Sequence, residues 1–230
     1  MKQPINKLIP ILAITSMAVI AGNAGIVFFD DFSEAPGTLI VGKSSDIGLN
    51  WTGSGGAVVS AGNTLDTTGD GRFLYGKFTS SLGAGQILTL SYNSFSLPNF
   101  FGGGWSGVSL YEGGNERVFT GHPNGATSWG VDGALAGYGV SGESTGTTTA
   151  TFTYQFDTGG WTFTTLSGVS LSGVGAAGYA FNELRVANGS GADIHVDNLS
   201  VDISAVPEPT SLALAGLGVA TLLTFYRRQS

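Results

Sequence analysis

Between residues 25 and 205, apolar side chains recur at every second position in short runs, and the runs are separated by clusters of Gly, Ser, Thr, Asn and Asp. Phe152, Tyr154 and Phe156 alternate with Thr151, Thr153 and Gln155. After Asp157-Thr158-Gly159-Gly160 the alternation resumes with Trp161 and Phe163 against Thr162 and Thr164. A side-chain period of two puts these aromatic rings on one face of a hairpin. Leu88, Leu90 and Tyr92 against Thr89 and Ser91 predict another strand, and a second hairpin is predicted from 107–111 to 117–119 around a turn at Gly113-Gly114-Asn115. Further short strands are expected near 26–29, 57–60, 72–78, 181–187 and 193–203. No stretch between 25 and 205 shows a sustained helical period with caps. Many short strands joined by turn residues point to an all-β antiparallel sandwich. Ser141-Gly142-Glu143-Ser144-Thr145-Gly146 reads as a loop, and no internal repeat is visible.

The last of these strands changes phase. Ile194 and Val196 are apolar at even positions, whereas Leu199, Val201 and Ile203 are apolar at odd ones. A slip of one residue at Asp197-Asn198 is what a β-bulge produces, or a bend at a sheet edge. The apolar runs at both ends of the segment are expected to pair with each other, which would bring Phe32 close to Val196 or Leu199 and cover a strand edge.

The chain ends carry a different pattern. Lys2 and Lys7 precede an apolar run from Leu8 to Ile20, and Gly22-Asn23-Ala24 offers small residues where a signal peptidase cuts, so residues 1–24 read as a signal peptide. At the other end stand Val206, Pro207, Glu208 and Pro209, an apolar run from Leu212 to Phe225, and then Arg227 and Arg228. At about 1.5 Å per helical residue this run falls a little short of a ~30 Å hydrocarbon core, so a transmembrane helix there would barely span. Basic residues directly after an apolar span stay on the cytoplasmic side, which leaves the bulk of the chain outside. The two prolines stop the helix and hold an extended, accessible backbone before it. Tripeptide, span and Arg pair, in that order, resemble the PEP-CTERM sorting signal of bacterial surface proteins. The resemblance implies recognition by an exosortase, removal of the tail near Pro207-Glu208-Pro209, and a producer that makes exopolysaccharide.

Residues 25–205 suffice for one sizeable domain. They contain five basic residues (Lys43, Arg72, Lys77, Arg117, Arg185) against fifteen acidic ones, a formal charge of −10. Nucleic acid and anionic headgroups are poor partners for such a surface. The chain has no cysteine, so disulfides, thiolate metal sites and cysteine nucleophiles are all excluded. Four segments together are similar to the LamG-like, concanavalin-type jelly roll: Phe28-Phe29-Asp30-Asp31-Phe32-Ser33; Leu65-Asp66-Thr67-Thr68-Gly69-Asp70-Gly71-Arg72; the 107–121 hairpin; and 181–186 with 197–201. That resemblance implies the fold and leaves the ligand open, because jelly rolls host lectins, glycosidases and adhesive modules alike.

Catalytic constellations are sparse. A glycosidase needs two carboxyl groups about 5–9.5 Å apart across a cleft. Glu112 and Glu116 are the nearest pair in sequence, but the turn between them is expected to hold them at an exposed loop tip. His122 and His195 have no nucleophile motif around them and read as ordinary surface or strand residues. Asp66-Thr67-Thr68-Gly69-Asp70-Gly71 begins like an EF-hand loop, yet Lys77 stands where a bidentate Glu is required, so an Asp-stabilised turn is expected. Asp30, Asp31 and Asp197 would meet if the first and last strands pair, and a structural Ca²⁺ there is the expected metal chemistry. Among the aromatics Trp51, Trp105, Trp129, Trp161 and Tyr138, Trp161 belongs to the core by its alternation. Phe101 and Trp105, in what reads as a loop after Pro98, are the candidates for stacking on sugar rings.

The sequence thus predicts a signal peptide (1–24), an all-β jelly-roll ectodomain (25–205) and a sorting tail (206–230). The expected function is that of an exported, non-enzymatic structural or adhesive protein of the cell surface or extracellular matrix, associated with exopolysaccharide. A carbohydrate-binding module is the alternative, and a glycan-active enzyme the least favoured.

Overall fold

A computed structural model describes residues 25–69, 71–95 and 103–206. The expected signal peptide, Phe101, Pro207-Glu208-Pro209, the apolar span and Arg227-Arg228 lie outside the described residues. Among these there are fifteen strands and no α-helix: β1 (Gly25–Asp30), β2 (Thr52–Ser54), β3 (Val58–Val59), β4 (Leu65–Asp66), β5 (Phe73–Lys77), β6 (Gln86–Phe95), β7 (Trp105–Glu112), β8 (Asn115–His122), β9 (Gly130–Asp132), β10 (Gly139–Val140), β11 (Thr148–Gln155), β12 (Gly160–Thr165), β13 (Ser170–Val174), β14 (Glu183–Gly189) and β15 (His195–Ala205). Trp105 therefore opens a strand rather than sitting in a loop.

The strands form two antiparallel sheets. One runs β13-β12-β11-β6-β15-β4-β3, with β1 also on β15; the other runs β10-β9-β8-β7-β14-β5-β2. Their inner faces carry the alternating residues read from the sequence. Leu88, Leu90, Tyr92, Phe152, Tyr154 and Phe163 of the first sheet, and Leu74, Val108, Leu110, Val118, Leu184 and Val186 of the second, are all fully buried. Phe152 lies opposite Phe163 and Tyr154 opposite Trp161, so the expected aromatic hairpin is formed. The β7–β8 connection is tighter than expected. Only Gly113 and Gly114, both left-handed (φ 55° and 80°), make the turn, and Asn115 already belongs to β8. Two consecutive positive φ values are those of a type I′ turn, whose twist matches that of the strands it joins.

β1 and β15 pair antiparallel, with Gly25 opposite Ile203 and Asp30 opposite Leu199. The phase slip is a bulge: the β15–β6 register shifts between Asp197 and Ser200, and Asn198 takes a left-handed φ of 48°. It is not at a sheet edge, because β15 has β6 on one side and β4 and β1 on the other. His195 and Val196 pair with β4, and residues 199–203 pair with β1, so the partner on that side changes across the bulge. Val196, Leu199, Val201 and Ile203 are all buried as a result.

Where the sheets meet, Gly76 of β5 lies under the Phe28 ring, and a Cβ there would stand 2.5 Å from Phe28 Cε2. Phe28 is fully buried between Trp51 and Phe78 and has no room to retreat. Gly76→Ala is expected to destabilise the domain by about 1–3 kcal/mol, the range for overpacking a filled core. Denaturant unfolding should show a lowered midpoint with an unchanged slope.

Candidate functional site

The acidic end of β1 is organised by a lysine that the sequence reading did not connect to it. Asp30 is fully buried, and Lys43 Nζ reaches both its carboxyl oxygens, at 2.7 and 2.6 Å. Trp51 Nε1 donates to Oδ2 at 2.7 Å and the Phe32 amide donates to Oδ1 at 2.9 Å. Lys43 also pairs with Glu34 at 2.7 Å, and its side chain is only 6% exposed. Burial pushes the Asp30 carboxyl up from its ordinary value, against the hydrogen bonds from Lys43, Trp51 and Phe32. Burial acts on the Lys43 ammonium in the downward sense, but Asp30 and Glu34 outweigh it and hold the group above the ordinary lysine value.

The acidic group brought together here is Asp30, Asp31 and Asp46, with one oxygen of each within 4.8 Å of the others. Asp46 takes the place expected for Asp197. Asp197 instead holds its own bulge, its oxygens accepting from the Asn198 amide and side chain at 2.7 Å each. It stays near enough to Asp31 for that charge to add to burial in raising its carboxyl, against the Asn198 amide. Asp46 accepts from the Asp31 amide and Asp31 from the Ser33 amide, while the Lys43 ammonium occupies Asp30 as a cation would.

The loop that begins like an EF-hand closes on itself. The Thr68 amide donates to Asp66 Oδ1 at 2.7 Å, an Asx turn. His195 Nε2 lies 2.8 Å from the same oxygen, and the Thr67 hydroxyl exchanges hydrogen bonds with the Ile194 backbone. His122 is the last residue of β8, a strand residue as one of the two expectations had it, but it is fully buried rather than at the surface, and its ring meets the Ala126 carbonyl.

Glu112 and Glu116 are not an exposed pair at a loop tip. Glu112 binds Arg117 at 3.0 Å and accepts from the Ala180 amide at 2.8 Å. Glu116 accepts from Ser109 Oγ at 2.8 Å, Tyr111 Oη at 3.1 Å and Arg185 at 2.7 Å. A register shift at Leu110/Tyr111 turns Glu116 onto the outer face of the second sheet.

That outer face holds the candidate site. The register sets Asp132, Phe119, Ser109, Arg185 and Tyr75 side by side across β9, β8, β7, β14 and β5. The Arg185 guanidinium lies 5.2–5.6 Å from the ring centres of Tyr111, Phe73 and Trp105, within cation–π range of all three. Trp105 meets Phe73 at 5.9 Å and Phe119 edge-on at 6.2 Å. Beside them opens a groove of about 480 Å³, lined by Phe73, Trp105, Phe119 and Pro123 on the apolar side and by Glu116, Asn124, Asp132 and Arg185 on the polar side. Burial, with the Glu116 charge adding to it, raises the Tyr111 phenol against the pull of Arg185.

Of the other candidate rings, Trp51 and Trp129 are fully buried, Trp161 stacks on Phe152, and Tyr138 is exposed and does not line this groove. Sequence reasoning identified Trp105 and missed Arg185, Phe73 and Phe119. The available signal was large or charged residues on both faces of β5 and β14: Phe73 and Tyr75 flank Leu74, and Arg185 stands between Leu184 and Val186.

The fold is an all-β antiparallel sandwich of two sheets. A Trypanosoma rangeli sialidase in complex with sialic acid matches 81% of this chain and 32% of its own at 14% identity, TM-score 0.53, so the chain spans about a third of that protein. The CBM2 module of an evolved Dit from Lactobacillus casei BL23 phage J-1 matches 81% of this chain and 98% of its own at 12% identity, TM-score 0.50. A legume lectin-like domain from Entamoeba histolytica matches 69% and 91% at 15% identity, TM-score 0.46. At these identities the likeness is one of fold. No curated protein matches the chain. Residues 205–228 match the PEP-CTERM protein-sorting motif, which implies processing by an exosortase and an exported, membrane-anchored precursor. The motif begins at the last residue of β15, and the next amide, that of Val206, is still tied to the Gly85 carbonyl at 2.8 Å.

A pH prediction follows from Asp66. Burial raises its carboxyl, but Thr68 and His195 outweigh this and the net shift is downward. A folded value below the unfolded ~3.9 means that the ionised group stabilises the fold above that pH, and that this contribution is lost as pH falls through the folded value. Asp66→Asn should therefore lower stability at neutral pH, with the gap to the unsubstituted chain closing in acid. Urea unfolding across that range checks it, and an equal gap at every pH would contradict it.

Proposed function

We propose that the sandwich is a non-enzymatic, carbohydrate-binding adhesive module, delivered by its sorting tail to the cell surface or the exopolysaccharide matrix, and that the groove beside Trp105 holds the sugar. The observation that carries this reading is the groove itself. A half-exposed indole and two Phe rings stand against Arg185, Glu116, Asn124 and Asp132, an apolar platform with a polar rim. Sugar rings present apolar C–H faces and a rim of hydroxyls, which such a surface complements. Two carboxylates against one guanidinium in the groove, in a segment of formal charge −10, favour a neutral glycan over a polyanionic one. Glu116 already serves three donors and Glu112 is held by Arg117 and a backbone amide, so neither is free for acid or base work on a substrate. The reading needs no cofactor.

Trp105→Ala is expected to weaken binding to a neutral polysaccharide about tenfold in Kd, or about 1.4 kcal/mol, without changing the fold. Titration calorimetry against neutral, uronate-rich and amino-sugar polymers reads both affinity and class. Equal affinity of the variant for every polymer would refute the groove. Turnover of a polysaccharide that is lost in Glu116→Gln or Asp132→Asn would replace the adhesive reading with an enzymatic one.

Delivery is tested separately. Replacing Pro207-Glu208-Pro209 by alanines should leave export intact and block removal of the tail, as read by C-terminal mass analysis of the exported protein. Normal tail removal in that variant would rule out exosortase recognition of the tripeptide.

A further inference from the structure

We propose that Lys43 and Asp30 condense to an intramolecular isopeptide bond inside the sandwich, with Glu34 moving the protons. Lys43 Nζ sits in front of the carboxyl group, 2.7 and 2.6 Å from its two oxygens, and 2.7 Å from Glu34 Oε1. Both reacting residues are held by their backbones. Asp30 ends β1 opposite Leu199, and the Lys43 carbonyl and amide are bonded to the Trp51 amide and the Ile40 carbonyl. Such pre-positioning removes most of the entropic barrier to a bimolecular step.

The surroundings suit amide formation. Asp30 is fully buried and the Lys43 side chain 6% exposed, with the Phe32 ring 5.5 Å from Nζ and Trp51 packed on Phe28 and Phe32. Burial of the pair against the Phe32 and Trp51 rings lowers the cost of the neutral acid-and-amine form relative to the ion pair. The Asp30 carboxyl is raised in agreement with this, whereas Asp30 and Glu34 hold Lys43 as an ammonium, so the amine is released only as Glu34 takes its proton. Trp51 Nε1 and the Phe32 amide each donate to one carboxyl oxygen, where they draw electrons from the carbon and stabilise the oxyanion formed on addition. Glu34 touches the nitrogen through Oε1, and its buried Oε2 has no hydrogen-bond partner, so the carboxylate has capacity to accept a proton. The remaining ion pairs among the described residues use Arg or His in place of an amine nucleophile.

The step balances without any other reactant. Glu34 takes one ammonium proton, the amine adds to the Asp30 carboxyl carbon, and the C–N bond forms. Glu34 returns its proton to the departing oxygen, and the second proton lost from nitrogen completes a water molecule. Carboxylate and ammonium thus become an amide and water, with no oxidation or reduction. In a chain without cysteine, this bond would supply the covalent cross-link that disulfides provide in other exported domains.

The test is mass spectrometry of the purified full chain, denatured and digested with trypsin. The expected result is no cleavage after Lys43, a peptide spanning residues 30–43 lighter by one water, and no backbone fragment ions between those two positions. Lys43→Arg should restore the full mass. Glu34→Gln should leave the residues unlinked while the circular dichroism spectrum remains that of the folded chain. Cleavage after Lys43 in the unsubstituted chain overturns the proposal, whether the peptide has its full mass or has lost water as a succinimide at Asp30-Asp31. Complete linkage in Glu34→Gln overturns the role of Glu34.

Discussion

The structure depends on β15 lying inside its sheet with partners on both sides. A strand flanked by β6 on one edge and by β4 and then β1 on the other must bury its apolar residues throughout, yet Val196 and Leu199 have opposite parity. One extra residue at Asp197-Asn198 reconciles the two halves, at the cost of a left-handed Asn198 that Asp197 holds with two hydrogen bonds. The same bulge marks where the neighbouring strand changes, so the N-terminal strand closes the sheet beside the strand that leads into the sorting motif. Both ends of the domain are thereby tied to one another.

Around that closure the chain buries a charge. A carboxylate with no access to water is costly unless every lone pair is answered, and Asp30 is answered by Lys43, Trp51 and the Phe32 amide. Phe32 takes a left-handed φ of 51° as the chain turns back over the carboxylate. The result ties the loop after β1 to the sheet edge in a protein that has no disulfide with which to do so. It also places an amine, a carboxyl and a second carboxylate in contact, which is where new chemistry can arise.

The second sheet is apolar on its inner face and aromatic on its outer one. Phe73, Tyr75, Trp105, Tyr111 and Phe119 would be a poor solvent face if left bare, and Arg185 covers it by lying against three of the rings while Glu116 holds its charge. A single guanidinium thus stabilises an aromatic surface and gives the adjoining groove its polar wall. The first sheet directs Thr and Ser outward in the same positions, with Thr153 and Thr162 bonded to one another. This difference locates the candidate site on the second sheet.

Alternation alone identified the long strands, the two hairpins, the core side chains Leu88, Leu90, Tyr92, Phe152, Tyr154 and Phe163, and the bulge, because burial of one face leaves a period of two that a one-residue slip visibly breaks. The tail motif was equally legible, since its tripeptide, span and Arg pair are contiguous. The short strands β2, β4, β9, β10 and β13 were not, because runs of two to five residues, most of them including Gly or Ser, carry no period and are held by their neighbours. Nor could local sequence show that Asp46 rather than Asp197 joins Asp30 and Asp31, that Lys43 neutralises Asp30, or that Glu116 leaves its turn for Arg185. Those pairings join residues 13 to 69 positions apart, and only the register between strands brings them within reach.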